Sequence, residues 1–471
     1  MKNLLMVYLI CQVTFAYTQL KDTSVKRIKD EIELLSKSET IKYGYLGVCI
    51  SKMNADNNIV EYNHSKTFVP ASNLKLFTTA TALDILGESF VFETTIEYEG
   101  EVKNGKLTGN LNIIGSGDPT LGSERFKDYP DYKALIKLFV AKIKAAGIAE
   151  IKGDIVSDAS VYEYNSIPDF WVWGDMGNYY GAGAFGLNIN ENLYTIFFKP
   201  GEKEGAPATV ANTEPKINLL DFKNEVLTGK ENSGDNTVIY GGALENNRYM
   251  NGTIPKGSNL FPVKGSIPDP PAFIASLLYN ELIGAGVKVS GGPKRAVDNS
   301  KVVGRKIVYS HASPPLKAII EKTNVYSINL YAESLLKQIA YKKTGKGTTK
   351  EGVKAVTEYL ASKGISKEGL FIYDGSGLSP TNALTPLHQT QLLKAIRKEN
   401  YFDAFYNSLS VAGVSGTLKK LCKGTAGENN IRGKSGSMEK VLCYTGYVKG
   451  KSGETYVFSI MANDFSGSTS G

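Results

Sequence analysis

Cysteine and histidine are scarce in this chain of 471 residues, which contains four cysteines and three histidines. The cysteines (Cys11, Cys49, Cys422 and Cys443) form no CxxC pair, so we predict no metal site and no cofactor. The histidines are far apart in sequence, which does not by itself exclude a shared site. Cys11 lies in an apolar leader, and removing that leader leaves an odd number of cysteines with at least one free thiol. A disulfide between Cys422 and Cys443 is an alternative that the sequence leaves open.

Long apolar runs are also lacking, apart from one at the start of the chain. Lys2 is followed by an apolar stretch from Leu4 to Phe15 and then by the small residue Ala16. This pattern predicts a secretory signal peptide over residues 1–18 and a periplasmic or otherwise extracytoplasmic protein. No later segment reaches the roughly 18 apolar residues of a membrane-spanning helix, so we expect no transmembrane anchor.

The chain lacks a block of Lys and Arg with interleaved aromatic residues, which excludes a typical nucleic-acid-binding surface. Its formal net charge is +7, from 54 basic and 47 acidic residues. A mildly basic surface suits peripheral contact with a cell wall or an anionic membrane. Basic residues spread this evenly also need no partner.

Strand patterns occur at both ends of the chain. Two apolar-alternating runs, 46–51 and 59–63, follow an amphipathic helix with Ile28, Ile32 and Leu35 on its inner face. A second pair, 441–448 and 455–461, ends the chain, and helical patterns lie between. The middle, from about 90 to 300, alternates strand-like runs with Gly-rich turns. We therefore predict a sheet closed by both chain ends, with the middle inserted.

The pattern Ser-x-x-Lys occurs three times, at Ser72/Lys75, Ser334/Lys337 and Ser437/Lys440. A nucleophilic serine needs a base within hydrogen-bonding reach, and residues i and i+3 share one face of a helix. Ser72 begins a predicted helix after Pro70, where unpaired backbone N–H groups favour developing negative charge. Ser334 falls mid-helix, and Ser437 falls in a strand, where i and i+3 point to opposite faces. Ser72 is therefore the candidate nucleophile.

Lys75 acts as a base only if its pKa falls by several units, through burial or a neighbouring cation such as Lys434. Ser327-Ile328-Asn329 begins another predicted helix, and Lys434-Ser435-Gly436 precedes the last strands. Each of these short patterns is weak by itself. A second Lys-Thr-Gly pattern at 343–345 precedes no strand and is interpreted as a solvated loop.

The three patterns follow one another in the order used by penicillin-recognising serine enzymes. On these residues the chain resembles the class C low-molecular-mass penicillin-binding proteins, the D-alanyl-D-alanine carboxypeptidase/endopeptidase family. Four longer stretches carry the same resemblance: Val69–Leu76, Gly115–Pro119, Asp374–Ser379 and Val411–Leu418.

The resemblance implies an α+β fold. The β-lactamase/transpeptidase-like catalytic domain, a five-stranded antiparallel sheet with helices, would comprise residues 19–90 and 305–471. Two mainly β domains would be inserted: domain II over 91–190 and 260–304, and, nested within it, domain III over 191–259. The family usually continues into a C-terminal helix, whereas this sequence ends at Gly471, soon after the last predicted strand.

The resemblance also implies the chemistry. The substrates would be peptidoglycan peptides, and β-lactams would acylate the nucleophile. Ser72 would attack, Lys75 would take its proton, Ser327 would protonate the departing amine, and Asn329 would hold Lys75 and the substrate amide. The strand would bind the terminal carboxylate through Lys434-Ser435-Gly436, and the N–H groups of Ser72 and Ser437 would form the oxyanion hole.

Three further residues would line a substrate pocket by resemblance: Asp175 for a cationic group, Tyr180 as a wall, and Met438 beside the strand. Asp175 could instead be a loop cap. The sequence departs from the family at Ser435, where Thr is usual, at Pro380, where many relatives have Arg, and at Ser415, where Asp is frequent. Two alternative functions stay open: a β-lactamase-like esterase and a catalytically inactive wall-binding protein.

Overall fold

The structure is a computed structural model that describes residues 22–296, 304–450 and 453–467. The predicted signal peptide and Cys11 lie outside these ranges. The strands of the described chain are β1 (Tyr45–Lys52), β2 (Asn58–Tyr62), β3 (Glu93–Tyr98), β4 (Val102–Lys103), β5 (Lys106–Leu107), β6 (Leu111–Ile114), β7 (Glu150–Ile151), β8 (Ile155–Asp158), β9 (Leu193–Lys199), β10 (Thr209–Glu214), β11 (Asp221–Gly229), β12 (Val238–Tyr240), β13 (Asn247–Pro255), β14 (Phe261–Ser266), β15 (Lys288–Val289), β16 (Pro293–Arg295), β17 (Lys306–Ala312), β18 (Ser410–Val411), β19 (Ile431–Met438), β20 (Val441–Lys449) and β21 (Thr455–Asn463).

The α-helices of the same ranges are α1 (Asp22–Ser36), α2 (Lys75–Leu86), α3 (Tyr132–Ala145), α4 (Trp173–Met176), α5 (Pro270–Gly284), α6 (Leu316–Tyr326), α7 (Asn329–Thr344), α8 (Thr349–Ser362), α9 (Pro386–Ile396) and α10 (Phe402–Asn407). Short 3-10 turns occur at Ala71–Leu74, Tyr179–Gly181, Asn190–Asn192 and Gly416–Leu418. The described residues form two compact units, one from the residues up to Phe90 together with those from Pro315 onward, and the other from the residues between Val91 and Pro314.

The first unit is built on an antiparallel sheet in the order β18-β19-β20-β21-β1-β2. Strand β1 pairs with β21 along its whole length, with Val48 opposite Ile460. The two ends of the chain therefore close one sheet, as the strand patterns predicted. The five long strands are those expected, and β18 adds a two-residue edge that pairs with β19.

Helix α1 contributes to the core of this sheet. Ile28, Ile32 and Leu35 are buried in one hydrophobic cluster with Val48 and Ile460, which confirms the inner face predicted for the helix. Helix α9 contacts β1, β20 and β21. It begins at Pro386, which has no N–H group to leave unpaired, and the Thr385 side chain before it accepts the backbone N–H of His388 (3.0 Å), so the start of the helix is capped.

The described residues of the second unit form four sheets, in the orders β16-β8-β6-β3-β17, β15-β7-β5-β4, β10-β9-β14 and β11-β13-β12. Helices α3 and α5 supply buried apolar residues to its own core, which includes Phe139, Ile143, Leu278 and Leu282. The mainly β composition agrees with the predicted inserted material.

The boundary of the second unit differs from the predicted one. Residue 305 was the expected return to the catalytic domain, but β17 follows it and pairs antiparallel with β3, so the unit continues to Pro314. Strand β14 lies beyond the predicted end of the nested piece at 259 and pairs with β9. The division of this unit into domains II and III stays a prediction.

Candidate active site

Ser72 lies in the 3-10 turn Ala71–Leu74, directly before α2 begins at Lys75. The adjacent Asn73 is fully buried and donates to Thr445 Oγ1 (3.0 Å) on β20 and to Gln389 Oε1 (3.3 Å) on α9. These bonds fix the turn against the sheet. Ser72 is therefore held at the mouth of the helix, as its sequence context predicted.

Lys75 is fully buried and connects three parts of the site. Its Nζ donates to Ser72 Oγ (2.9 Å), to Asn329 Oδ1 (2.6 Å) and to the Ser376 carbonyl (2.7 Å). A protonated amine has three N–H donors, and these three acceptors match that number. The predicted contacts of Lys75 with Ser72 and Asn329 are thus present.

Ser327 and Asn329 occupy a sharp corner between two helices. Helix α6 ends at Tyr326, Ser327 adopts a left-handed conformation (φ 59°, ψ 42°), and α7 begins at Asn329. A non-glycine residue in this region is strained, and such strain is concentrated at functional sites. The corner brings the Asn329 side chain to Lys75 and the Ser327 hydroxyl to Lys434.

Lys434 is fully buried on β19, and its Nζ donates to Ser327 Oγ (2.9 Å) and to the Ser435 carbonyl (2.6 Å). Gly436 lies two residues along the strand, where an added Cβ would lie 2.4 Å from the Pro70 carbonyl oxygen. Only glycine therefore lets β19 pass this close to the turn that carries Ser72.

Burial lowers the pKa of Lys75 to about 7, against the opposing effect of the Asp374 and Glu333 carboxylates. Burial, and then the positive charge of Lys75, hold the pKa of Lys434 well below its ordinary value. Near neutral pH a substantial fraction of Lys75 is therefore an uncharged amine that can accept a proton from Ser72. Burial supplies this effect by itself, whereas the sequence pattern suggested that Lys434 would contribute.

The sequence pattern missed two carboxylates beside Lys75. Glu333, fully buried on α7, lies one helical turn after Asn329 and accepts hydrogen bonds from the backbone of Gly375 and Ser376. Asp374, also buried, begins the same loop. The sequence marks the Asp374–Ser379 stretch only as a family resemblance, and the four-residue spacing from Asn329 to Glu333 is the signal that it offers for Glu333.

The other predicted strand residues follow Lys434 on β19: Ser435 faces Tyr444 in the β20 register, Ser437 faces Leu442, and Met438 ends the strand. Asp175 and Tyr180 lie in the second unit, on α4 and the following 3-10 turn. A hydrogen bond joins their side chains, and burial raises the pKa of Asp175 above its ordinary range.

The competing patterns lie elsewhere. Ser334 and Lys337 are buried in the middle of α7, and Lys440 is in the β19–β20 turn. Lys343 belongs to the last turn of α7 and pairs with Glu358 at the surface. Cys49, Cys422 and Cys443 are buried, and the possible Cys422–Cys443 disulfide is not formed.

Within residues 22–296, 304–450 and 453–467, no group of three or more His, Cys, Asp or Glu side chains is arranged to hold a metal ion. In the same ranges the helices are too short or too polar to cross a membrane.

Three features define the class of penicillin-recognising serine hydrolases: a serine hydrogen-bonded to a buried lysine at the start of a helix, a Ser-x-Asn corner between helices, and a strand that carries a second lysine. Residues 29–470 match the D-Ala-D-Ala carboxypeptidase 3 (S13) family. The chain belongs to this family and is a serine peptidase, which confirms the resemblance drawn from its motifs.

Individual relatives agree with this assignment. The D-alanyl-D-alanine carboxypeptidase of Actinomadura sp. (strain R39) is 28% identical over 464 residues, which cover 93% of this chain and 81% of the relative. The D-alanyl-D-alanine carboxypeptidase DacB of Haemophilus influenzae is 25% identical over 429 residues, which cover 89% and 86%. The crystal structure of penicillin binding protein 4 from Haemophilus influenzae shares the fold, with a TM-score of 0.79 at 24% identity over 93% of this chain and 95% of that one.

Proposed function

We propose that the chain is a D-alanyl-D-alanine carboxypeptidase that also cuts D,D-cross-links, through an acyl-enzyme on Ser72. The observation that carries the proposal is the contact between Lys75 Nζ and Ser72 Oγ (2.9 Å) at a fully buried amine whose pKa is lowered to about 7. This is the arrangement that a lysine general base requires.

The first half of the reaction forms the acyl-enzyme. Ser72 Oγ bonds to the carbonyl carbon between the two terminal D-alanines, and its proton passes to Lys75 Nζ. The C–N bond then breaks, and Ser327 gives its hydroxyl proton to the departing amine. Lys434, which donates to Ser327 Oγ, can return a proton to that oxygen. Water then adds its hydroxyl to the acyl carbon, Ser72 Oγ recovers a proton as the ester bond breaks, and the proton held by Lys75 replaces the one that Lys434 gave, which regenerates the enzyme.

Substrate binding uses strand β19. Lys434 and the Ser435 hydroxyl are proposed to bind the terminal carboxylate, in the stretch that Gly436 allows to approach Ser72. Such a carboxylate would raise the pKa of Lys434, so substrate capture and protonation of Lys434 are linked. The N–H groups of Ser72 and Ser437 are proposed to stabilise the oxyanion.

The remaining assignments extend the proposal to the partners of the enzyme. Asp175 and Tyr180 would recognise a cationic group of the peptide side chain, and Met438 would pack beside the strand. β-Lactams would acylate Ser72, because they present a reactive amide and a carboxylate to the same groups. The leader pattern supports export, so the peptidoglycan peptides would be met outside the cytoplasm.

The test is labelling with a fluorescent penicillin, followed by mass spectrometry of the labelled peptide. We expect a long-lived adduct on Ser72, none in Ser72→Ala, and wild-type labelling in the control Ser466→Ala, at an exposed serine. The same samples, incubated with peptidoglycan, should release D-alanine only where Ser72 is intact. Rapid loss of the adduct would indicate a β-lactamase, and absence of both label and release would indicate an inactive wall-binding protein.

A further inference from the structure

Glu333 holds the loop whose Ser376 carbonyl accepts a hydrogen bond from Lys75. Its Oε1 accepts hydrogen bonds from the N–H groups of Gly375 (3.1 Å) and Ser376 (2.8 Å), and its Oε2 accepts from Gly375 (3.0 Å). The Ser376 carbonyl, on the residue so fixed, lies 2.7 Å from Lys75 Nζ. The position of one acceptor of the catalytic amine therefore depends on Glu333.

Asp374 holds the rest of this loop. Its carboxylate accepts from the N–H groups of Gly377 (2.8 Å) and Ser379 (2.7 Å) and from Asn382 Nδ2 (2.9 Å). From the other side, Thr78 Oγ1 on α2 donates to the Gly375 carbonyl (2.7 Å). The loop is thus fixed between α7, which carries Glu333, and α2, which carries Lys75.

We propose that Glu333 is a positioning residue for the acylation of Ser72: it holds the Ser376 carbonyl on Lys75 and, together with Asp374, supplies negative charge to the buried amine. The inference rests on the proposed function, because it assigns a role in the Ser72–Lys75 step. Glu333 itself transfers no proton to or from the substrate.

The charges near Lys75 come from two elements and one loop. Lys434 on β19 is a second buried cation, and Lys337, also buried, lies one turn after Glu333 on α7. Glu333 and Asp374 are the buried carboxylates that raise the pKa of Lys75 against the effect of burial. Burial, and then Asp374, raise the pKa of Glu333 to about 7, so its charge changes in the pH range where Lys75 titrates.

The experiment measures the second-order rate constant of penicillin acylation across the neutral pH range. In the wild type, acylation should decline below about pH 7, as Lys75 becomes protonated. Glu333→Gln keeps the shape of the side chain and removes its charge, so the pKa of Lys75 should fall. The acid limb, the part of the pH–rate profile in which acylation declines, should therefore move to lower pH by about 1 unit. The maximal rate should also fall, because the amide cannot accept every N–H bond. Glu333→Asp restores the charge and should keep its limb nearer the wild type.

Two further variants make the result decisive. Asp374→Asn should displace the limb in the same direction, which keeps the test open if Glu333→Gln fails to fold. Glu191→Gln is the matched control: this buried glutamate of the second unit accepts from Ser123 and Arg125, and its loss should leave the limb in place. Unshifted limbs in folded Glu333→Gln and Asp374→Asn would overturn the inference and leave the proposed function intact. Wild-type labelling away from Ser72 would overturn both.

Discussion

Lys75 illustrates how burial of one side chain creates reactivity. A lysine in water has a pKa of about 10.4, and burial in this site lowers that value to about 7. The difference corresponds to about 4–5 kcal/mol against the charged form. Asp374 and Glu333 oppose a still larger shift. The amine therefore titrates near neutral pH, where it can both take a proton from Ser72 and give one back.

Lys434 provides a prediction at the same scale. Lys434→Ala removes the proposed partner of the substrate carboxylate and the donor to Ser327 Oγ. Hydrogen bonds to charged groups contribute about 1.5–3 kcal/mol, so kcat/KM for a D-Ala-D-Ala peptide should fall about 10- to 100-fold. The matched control is Lys440→Asn, at the exposed left-handed position in the β19–β20 turn. Equal kinetics in the two variants would contradict the assigned role.

Single residues also define what the sequence could predict of the site. Ser72 and Lys75 are three residues apart, so helix geometry alone places them together. Ser327, Asn329 and Lys434 were found only through the order of weak patterns along the chain. The Ser376 contact was beyond prediction, because a backbone carbonyl has no side-chain signature and lies 301 residues from Lys75.

Among the local elements, the approach of the 374–379 loop to the turn carrying Ser72 depends on Gly377. This residue has φ +79°, a conformation that side chains disfavour, and an added Cβ would lie 1.9 Å from the Ala71 carbonyl oxygen. The loop and the Ser72 turn are therefore in backbone-to-backbone contact. A change at Gly377 should be transmitted directly to the nucleophile.

Gly377→Ala is expected to cost about 2–4 kcal/mol of unfolding free energy and to slow acylation of Ser72. The matched control is Gly364→Ala, which has nearly the same φ (+75°) but no atom within 4 Å of the added Cβ. It should cost only the left-handed strain, about 1 kcal/mol, and should leave acylation unchanged. Urea unfolding and penicillin labelling of both variants measure the difference. Similar acylation rates in the two would refute the contact.

The elements themselves were predictable where their pattern is local. The N-terminal hairpin, the helix after Pro70 and the last strand pair all follow from short-range periodicity. Strand β17 lies beyond residue 305, the predicted return to the catalytic domain, and pairs with β3, which lies more than 200 residues earlier. No local pattern states which strand a segment will pair with, so sheet membership comes only from the folded chain.

At the scale of the whole molecule, each unit has a hydrophobic cluster of its own among the described residues. The sheet of the first unit is completed by β1 between β2 and β21, so a unit that spans both chain ends is held by long-range pairing. Its core contains Ile460 on β21, and the core of the second unit contains Leu278 on α5. A protein with two such cores need not unfold in one step.

Core substitutions in the two units should therefore affect penicillin binding differently. Ile460→Ala and Leu278→Ala each remove a fully buried side chain and should cost about 2–5 kcal/mol in their own unit. On heating, Ile460→Ala should lose the ability to label Ser72 at a lower temperature than the wild type, because its sheet holds Lys434 opposite the Ser72 turn. Leu278→Ala should lower the temperature at which the second unit unfolds, while labelling of Ser72 persists close to the wild-type temperature. Calorimetry and labelling on the same samples compare the two, and an equal loss of labelling would mean that the cores unfold together.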